Sequence, residues 1–396
     1  MSDAKRKIAL VANQNEIFFR LRIPWIKLLQ RNGYEVFAVV PSGVWDEQIK
    51  ASGATLVDWR LNRSGRNFLS EARSVYELSR IFKRINVDIV QNFHTKPNVY
   101  APIAARIAGV PVCVSTVTGL GYTFVERPGL GKKLAQTINL KLLSIANRMA
   151  TEVMFQNPDD LDLLRSNGAI QDKKGTFYPG GSGIDVDDYS PNTRDSEQSR
   201  NIREELGISH DAFVALFVGR LQLDKGLVEF IEAAKLIREK RSDIAMVMVG
   251  APDPGNKRSI SEEQFNQWKN EGHAILTGRR DDVPALMAAA NTVVTPTFYR
   301  EGLPRTLLEA AATGLPLIGT DMPGVREAID DGKNGILIPI KDPNSLVDAI
   351  VRLADDPELA TRMGAASLER AKNEFDHLKV VGKYLELYDS LLGSAG

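Results

Sequence analysis

The sequence predicts an α/β protein made of two doubly wound, Rossmann-like domains, and three observations lead there. Short apolar runs alternate with longer amphipathic stretches almost throughout, the pattern of parallel sheets with helices on both faces. The alternation comes as two series, one in each half of the chain. At 396 residues the chain exceeds what one hydrophobic core ordinarily supports.

The first series of candidate strands is Ile8–Asn13, Glu35–Val40, Thr55–Trp59, Ile89–Phe93, Pro111–Val117 and Val153–Asn157. The second is Phe213–Gly219, Ala245–Gly250, Ala274–Thr277, Thr292–Thr297, Leu317–Thr320 and Gly335–Ile338. Between them lie segments such as Leu227–Lys240, whose apolar residues recur near the helical period. The break between the series falls in the polar segment Asp185–Gln198, which holds Pro191, Asn192 and several Asp. The expected domains are residues 1–185 and 186–375, with 376–396 a C-terminal helix that packs back toward the first domain.

Hydrophobic residues make up 43% of the chain and charged residues 25%, values of a soluble globular protein. The net charge is zero, but residues 1–180 carry 25 Lys/Arg against 15 Asp/Glu and the remainder 25 against 35. A basic half suits nucleic acid, anionic lipid or a phosphorylated substrate, although such an imbalance also arises by chance. The single cysteine, Cys113, excludes an internal disulfide and fits a reducing compartment. It lies in the apolar run Val110–Val114, where a buried structural thiol is expected rather than a nucleophile. Met1–Lys7 is polar and basic, which is no secretory signal. The longest uncharged stretch, Ile107–Val125, is interrupted by Gly, Pro, Thr and Ser, so it reads as a buried strand and a Gly-rich loop. Any membrane contact would be peripheral.

Sheets of this kind bind ligands at the carboxyl ends of their strands, and a cleft between two such domains is the expected site. The polar groups fall at those ends. Glu301-Gly302-Leu303-Pro304-Arg305-Thr306-Leu307-Leu308-Glu309 follows the strand from Thr292 and runs into a helix. Gly302 and Pro304 stand just before that helix, whose free N–H groups suit an anion, and Glu309 lies about two turns on. Gly219-Arg220-Leu221-Gln222-Leu223-Asp224-Lys225-Gly226 places a guanidinium and an ammonium on one loop. Two such cations suit the phosphates of a nucleotide diphosphate and the charge that grows on it as it leaves. Ordinary ion pairs on a surface loop are the alternative.

His94 ends a strand rather than sitting inside an apolar run, and its ordinary pKa near neutrality suits a base or a donor to a sugar hydroxyl. A core histidine is the competing role. Lys96 is either a contact for an anionic phosphate or a solvated side chain. Thr118-Gly119-Leu120-Gly121-Tyr122 follows the Cys113 strand, and Thr277-Gly278-Arg279-Arg280 another strand in the second half. No Gly-x-Gly-x-x-Gly turn follows the first strand, where the chain reads Val11-Ala12-Asn13-Gln14-Asn15-Glu16, and no Gly-x-x-x-x-Gly-Lys-Ser/Thr loop occurs. Asp185-Val186-Asp187 resembles an acidic metal pair but falls in the expected linker, and no Cys/His cluster implies zinc.

Taken together, these motifs resemble glycosyltransferase family 4, the retaining, nucleotide-sugar-dependent enzymes of the GT-B fold, over essentially the whole chain. The Glu301/Glu309 spacing carries the likeness, supported by Arg220/Lys225 and Gly278-Arg279. In the first half, Phe19-Arg20-x-x-x-Pro24, His94-Thr95-Lys96-Pro97-Asn98 and Thr118-Gly119-Leu120-Gly121-Tyr122-x-Phe124 look most like bacterial transferases acting on undecaprenyl-diphosphate-linked sugars, the N-acetylgalactosaminyl transferases among them.

The resemblance implies that Arg220 and Lys225 hold the diphosphate and that Glu309 binds the ribose hydroxyls. It gives Glu301, Gly302 and Leu303 to the donor sugar and phosphate, with Gly219 and Thr306 beside them. Gly278 and Arg279 border the base, and His94 touches the transferred sugar. Asn15, Arg20, Lys96, Gly119, Gly121 and Tyr122 fall to the acceptor. Where many members have a Gly-Gly pair in the first loop, this chain has Asn13 to Asn15, so side-chain amides stand in for backbone amides. The implied partners are a UDP-sugar, a polyprenyl-diphosphate-linked saccharide and an anionic membrane surface, with no nucleic acid, no metal and no cofactor beyond the donor substrate. The implied location is cytoplasmic, on the inner face of the cell membrane.

The segment Gly129–Ala150 mixes Lys132, Lys133, Lys141 and Arg148 with Leu134, Ile138, Leu142, Leu143 and Ile145. It reads either as a helix lying in an anionic bilayer surface or as a core-facing helix with solvated lysines. Phe18, Phe19 and Trp25 near Arg20 and Arg22 add to the first reading. Two rival functions also stay open: a UDP-sugar epimerase or hydrolase of the same fold, and a nucleotide-sugar-binding scaffold without turnover.

Overall fold

The computed structural model describes residues 5–61, 68–121, 124, 130–171, 173–190 and 196–395. The chain divides into two compact units, Met1–Ser182 with His377–Gly396, and Gly183–Asp376. The division lies just ahead of the polar run from Asp185. Ile184 and Tyr189 are buried in the second unit, and the Ile184 N–H donates to the Phe375 carbonyl at 2.8 Å.

The first unit runs β1 (Lys7–Val11), α1 (Asn15–Arg31), β2 (Glu35–Val40), α2 (Asp46–Ala51), β3 (Thr55–Asp58), α3 (Phe68–Ile85), β4 (Ile89–Phe93), α4 (Thr95–Ala108), β5 (Val112–Val117), α5 (Leu130–Met149), β6 (Glu152–Phe155), α6 (Pro158–Ser166) and β7 (Thr176–Phe177). Its sheet has the order β3-β2-β1-β4-β5-β6-β7, every pair parallel. Ile8–Val11 and all of β4 and β5 are buried, as expected for central parallel strands covered on both faces. Only β7 escapes the sequence reading, since two residues carry no periodicity.

The second unit runs α7 (Glu197–Glu205), β8 (Phe213–Val218), α8 (Leu227–Arg238), β9 (Ile244–Val249), α9 (Glu262–Glu271), β10 (Ile275–Gly278), α10 (Val283–Ala289), β11 (Thr292–Thr295), α11 (Arg305–Ala312), β12 (Leu317–Thr320), α12 (Val325–Ala328), β13 (Gly335–Ile338), α13 (Pro343–Asp355) and α14 (Pro357–Arg370). Its sheet is β10-β9-β8-β11-β12-β13, again parallel throughout. The β11 ladder stops before Pro296, which has no N–H to continue it. In α8, Leu227, Phe230, Ile231, Ala234 and Ile237 form the buried face, one apolar stripe at the helical repeat.

The last helix, α15 (His377–Ala395), belongs to the first unit. Val380, Val381, Tyr384 and Tyr388 bury its inner face in the same cluster as Trp25 and Phe93. Both phenols find partners there. The Tyr388 hydroxyl donates to Gln91 Oε1 at 2.7 Å, Tyr384 lies 3.2 Å from the Thr116 hydroxyl, and Gln91 Nε2 donates to Thr116 Oγ1 at 2.9 Å. Such a satisfied network fixes the seating of the helix on β4 and β5.

Helix α5 has two unlike faces. Leu143, Ala146 and Ala150 are buried, whereas Leu134, Ile138, Leu142, Ile145 and Met149 are 40% to 63% exposed. Their steps of four, four, three and four residues make one continuous apolar stripe. Lys133, Lys141 and Arg148 are exposed too, and the helix contains no acid. Its C-terminal carbonyls, Asn147 and Arg148, accept from Lys174 Nζ, a cation where the helix dipole favours one. Among the described residues no helix is long and apolar enough to cross a membrane.

Candidate active site

In the second unit the motif from Glu301 to Glu309 forms the turn after β11 and the start of α11, with Pro304 as N-cap. Gly302 and Leu303 are buried in the turn. Thr306 Oγ1 donates to the Val218 carbonyl at 3.2 Å, fastening α11 to the end of β8 beside Gly219. A Cβ on Gly324 (φ +82°) would meet the Gly302 carbonyl oxygen at 2.2 Å, so the loop before α12 lies directly on the turn.

Lys225 is set by the neighbouring loop. Leu223–Lys225 make one 3₁₀ turn. The Asp224 carbonyl accepts from the Phe298 N–H at 3.0 Å and the Thr297 hydroxyl at 3.1 Å. Its buried carboxylate pairs with Arg258 at 2.6 Å. At Gly226 (φ +77°) a Cβ would lie 2.0 Å from the Pro296 carbonyl oxygen, so only glycine allows this seating. Lys225 Nζ consequently reaches Glu301 Oε1 at 2.6 Å with both side chains largely buried, and its ammonium is 5.6 Å from the Tyr299 ring. A cation and a carboxylate so placed can serve a phosphate and a sugar hydroxyl of one ligand.

Glu309 is 8% exposed. Its Oε1 accepts from the Tyr189 hydroxyl at 3.0 Å and from Arg305 Nε at 2.7 Å. Burial, and then the Glu309 carboxylate, raise the pKa of the Tyr189 phenol, which therefore stays a donor. Burial opposes the charge on Arg305, but Glu309 holds the guanidinium above its usual value. Arg220 is exposed, and its guanidinium has no ion-pair partner among the described residues. Gly278 takes φ +77° at the end of β10, and Arg279 after it is exposed, whereas Arg280 is bound by Glu205 and Asp282.

In the first unit His94 is the N-cap residue of α4 with φ 74° and ψ 163°, a region open essentially to glycine alone. Its carbonyl accepts the Asn98 N–H at 2.9 Å, which opens the helix. Lys96 gives its ammonium to both oxygens of Glu71, from α3, at 3.0 and 3.3 Å. Gly119 and Gly121 take φ 101° and 69°. Between them the Leu120 N–H donates at 3.1 Å to Asp160, a fully buried carboxylate at the start of α6 that also accepts from Asn157. Arg20 pairs with Glu16 at 3.1 Å and lies 5.6 Å from the Trp45 ring, which stacks on Phe19. Tyr122 lies outside the described residues.

Three expectations are corrected. Asn15 does not present its amide as a stand-in for backbone N–H groups: Nδ2 donates to Asp46 at 2.8 Å and Oδ1 accepts the Trp45 N–H at 2.9 Å. Phe18, Arg22 and Trp25 offer no surface to a membrane, because all three are buried. The Arg22 guanidinium lies 3.5 Å from the Phe93 ring centroid. The segment Asp185–Ser190 is no free linker, because Tyr189 anchors it. No group of three or more His, Cys, Asp or Glu able to hold a metal occurs among the described residues.

Sequence reasoning missed Tyr189, Arg258, Glu71 and Asp160 as supports of the site. Arg305 was open to it, four residues before Glu309 on one helix. Tyr189 carries no such signal.

Residues 198–370 match the family model described as glycosyl transferases group 1, and residues 7–157 that described as glycosyl transferase 4-like. The chain belongs to these glycosyl transferases. The matched stretches fall one in each unit and together span most of the sequence. Across 386 residues, 98% of this chain and 99% of the other, it is 25% identical to an N,N′-diacetylbacillosaminyl-diphospho-undecaprenol α-1,3-N-acetylgalactosaminyltransferase of Campylobacter jejuni. It is 28% identical to a UDP-Gal:α-D-GlcNAc-diphosphoundecaprenol α-1,3-galactosyltransferase of Escherichia coli, over 92% and 94% of the two chains. The crystal structure of Anabaena Alr3699/HepE in complex with UDP and glucose superposes with a TM-score of 0.79 over 98% of this chain and 100% of that one, at 19% identity. That likeness gives the transferase the GT-B fold.

Proposed function

We propose that this glycosyl transferase moves a sugar, an N-acetylhexosamine, from a UDP-sugar to a polyprenyl-diphosphate-linked saccharide, with retention at the anomeric carbon and without a metal. The observation that carries the reading is the Lys225–Glu301 pair at 2.6 Å on the β11–α11 turn. A bound donor places its diphosphate against Lys225 and Arg220, its sugar hydroxyls against Glu301 and its ribose against Glu309, while Gly278 and Arg279 border the base. The bond from C1 to the diphosphate oxygen breaks as the acceptor hydroxyl attacks the same face. The hydroxyl proton passes to the departing diphosphate, whose charge Lys225 and Arg220 stabilise. The first unit supplies His94, which donates to or accepts from a sugar hydroxyl, and Lys96, Arg20 and the Gly119–Gly121 loop for the acceptor. Support for a lipid-linked acceptor comes from the activities for which the Campylobacter and Escherichia relatives are named.

The same reading places the protein peripherally on the inner face of the cell membrane. The apolar stripe of α5 supports it, because it is flanked by exposed cations and by no acid of its own helix. Each near-surface cation contributes about 1 kcal/mol on an anionic leaflet. A panel of UDP-sugars offered with short polyprenyl-diphosphate saccharides, the product anomers assigned by NMR, tests the chemistry. An α-linked product from an α-donor, formed at the same rate in EDTA, is expected. An inverted product, or conversion of donor without acceptor, sinks the proposal. For the membrane part, Ile138→Glu should release the protein from anionic vesicles, and binding indifferent to salt would contradict it.

A further inference from the structure

We propose that Tyr189 and Arg305 are positioning residues for the nucleotide ribose: they hold Glu309 by one carboxylate oxygen and leave the other to take the ribose hydroxyls. The inference rests on the reading above, in which Glu309 meets the ribose, and adds two residues to it. Both donors converge on Oε1, at 3.0 and 2.7 Å, and among the described residues nothing donates to Oε2. A carboxylate held twice by one oxygen loses its freedom to rotate while its second oxygen keeps all of its acceptor capacity.

The placement of each donor argues for the role. Arg305 is the first residue of α11, where the helix dipole disfavours a cation. Glu309, one turn further on, offsets that cost and fixes the guanidinium. Tyr189 comes from outside the helix, from the segment that follows the crossing into the second unit. Its ring is buried in the core beside α11, so only its hydroxyl reaches the carboxylate. Buried and next to a carboxylate, that phenol remains protonated and serves as a fixed donor. The ribose therefore meets a carboxylate whose plane is set before the ligand arrives, which spares the cost of ordering it on binding.

Calorimetric titration of the full-length protein with UDP and with its 2′,3′-dideoxy counterpart tests this. The wild type should prefer UDP. In Tyr189→Phe, which keeps the ring in its core, and in Arg305→Lys, that preference should narrow about fivefold, the worth of one hydrogen bond near 1 kcal/mol. Affinity for the dideoxy nucleotide should hardly change. If either variant weakens both nucleotides alike, or leaves the preference intact, the two residues merely support the fold and the inference is overturned. A wild type that binds both nucleotides equally well also overturns it, while leaving the donor reading intact. A wild type that binds neither removes the UDP-sugar reading itself, and this inference with it.

Discussion

The candidate residues of the two units are held in different ways. In the second unit they are tied to one another: Lys225 to Glu301, and Arg305 to Glu309. In the first unit each is tied to its own scaffold: Lys96 to Glu71, Asn15 to Asp46, the Gly119–Gly121 loop to Asp160. The contrast follows from chain geometry. One turn and one helix carry Glu301 to Glu309, so local structure alone brings half of the residues proposed for the donor together. The first unit gathers its residues from the ends of β1, β4 and β5, and each end needs a separate support.

The largest expected effect breaks the donor side. Lys225→Ala should lower kcat about 10²- to 10³-fold, the usual cost of losing a preorganised charge on a developing anion, with a much smaller rise in KM for the donor. Because Lys225 and Glu301 touch, the double variant with Glu301→Gln should lose far less than the product of the two single losses. Rates measured over all four proteins decide it. Multiplicative losses would show that the contact is incidental and that the donor residues act as separately as those of the first unit.

His94 sharpens the comparison, because it combines chemistry with backbone strain. His94→Ala should lose about 10²-fold in activity if the imidazole works on a sugar hydroxyl, within the range for general acid–base groups. His94→Gly should be as inactive but more stable than the alanine variant by about 1–3 kcal/mol, since glycine accepts φ 74° freely. Thermal melts of the two variants measure this directly. Equal stability would show that the strain is relieved by some other means.

A third effect is smaller. Glu71→Gln keeps a hydrogen-bonding side chain but frees the Lys96 ammonium from a full charge. The KM for the lipid-linked acceptor should change by about three- to fivefold, in keeping with a half-buried ion pair near 1 kcal/mol, while the KM for the donor stays put. A shift in the donor KM instead would assign Lys96 to the nucleotide sugar.

The same contrast explains what was legible in the sequence. Twelve of the strands could be read from their apolar runs, because buried parallel strands need little else to declare themselves. Glu301 and Glu309 were legible because their spacing is local, and Lys225 because it follows Arg220 by five residues on one loop. Asn15 was misread because its partner, Asp46, lies 31 residues away and reaches it only after β2 is in place. Phe18, Arg22 and Trp25 looked like a basic, aromatic surface, and only the packing of α15 over Trp25 shows that it is core. Tyr189 was hidden by its polar neighbours, since nothing in that run states that one ring is drawn inward.

The smallest expected effect concerns Cys113, on β5 just ahead of the loop that carries Gly119 and Gly121. Burial pushes its thiol up to about 12, with Lys174 pulling weakly the other way, and its Sγ lies 3.7 Å from Asn92 Oδ1. The thiolate is the reactive form, so at pH 8.5, where an exposed thiol is about half ionised, Cys113 should react with iodoacetamide on the order of a thousandfold more slowly or not at all. Raising the pH toward 10 should speed the reaction about thirtyfold, as the thiolate fraction rises, yet leave it far slower than that of an exposed thiol, because most of the folded thiol still holds its proton there. Mass spectrometry of the native and urea-unfolded protein separates the two states. Rapid labelling of the native form would mean that β5 opens to solvent. The supports of the first unit would then be looser than their buried hydrogen bonds imply, and its candidate residues would need the acceptor itself to hold them in place.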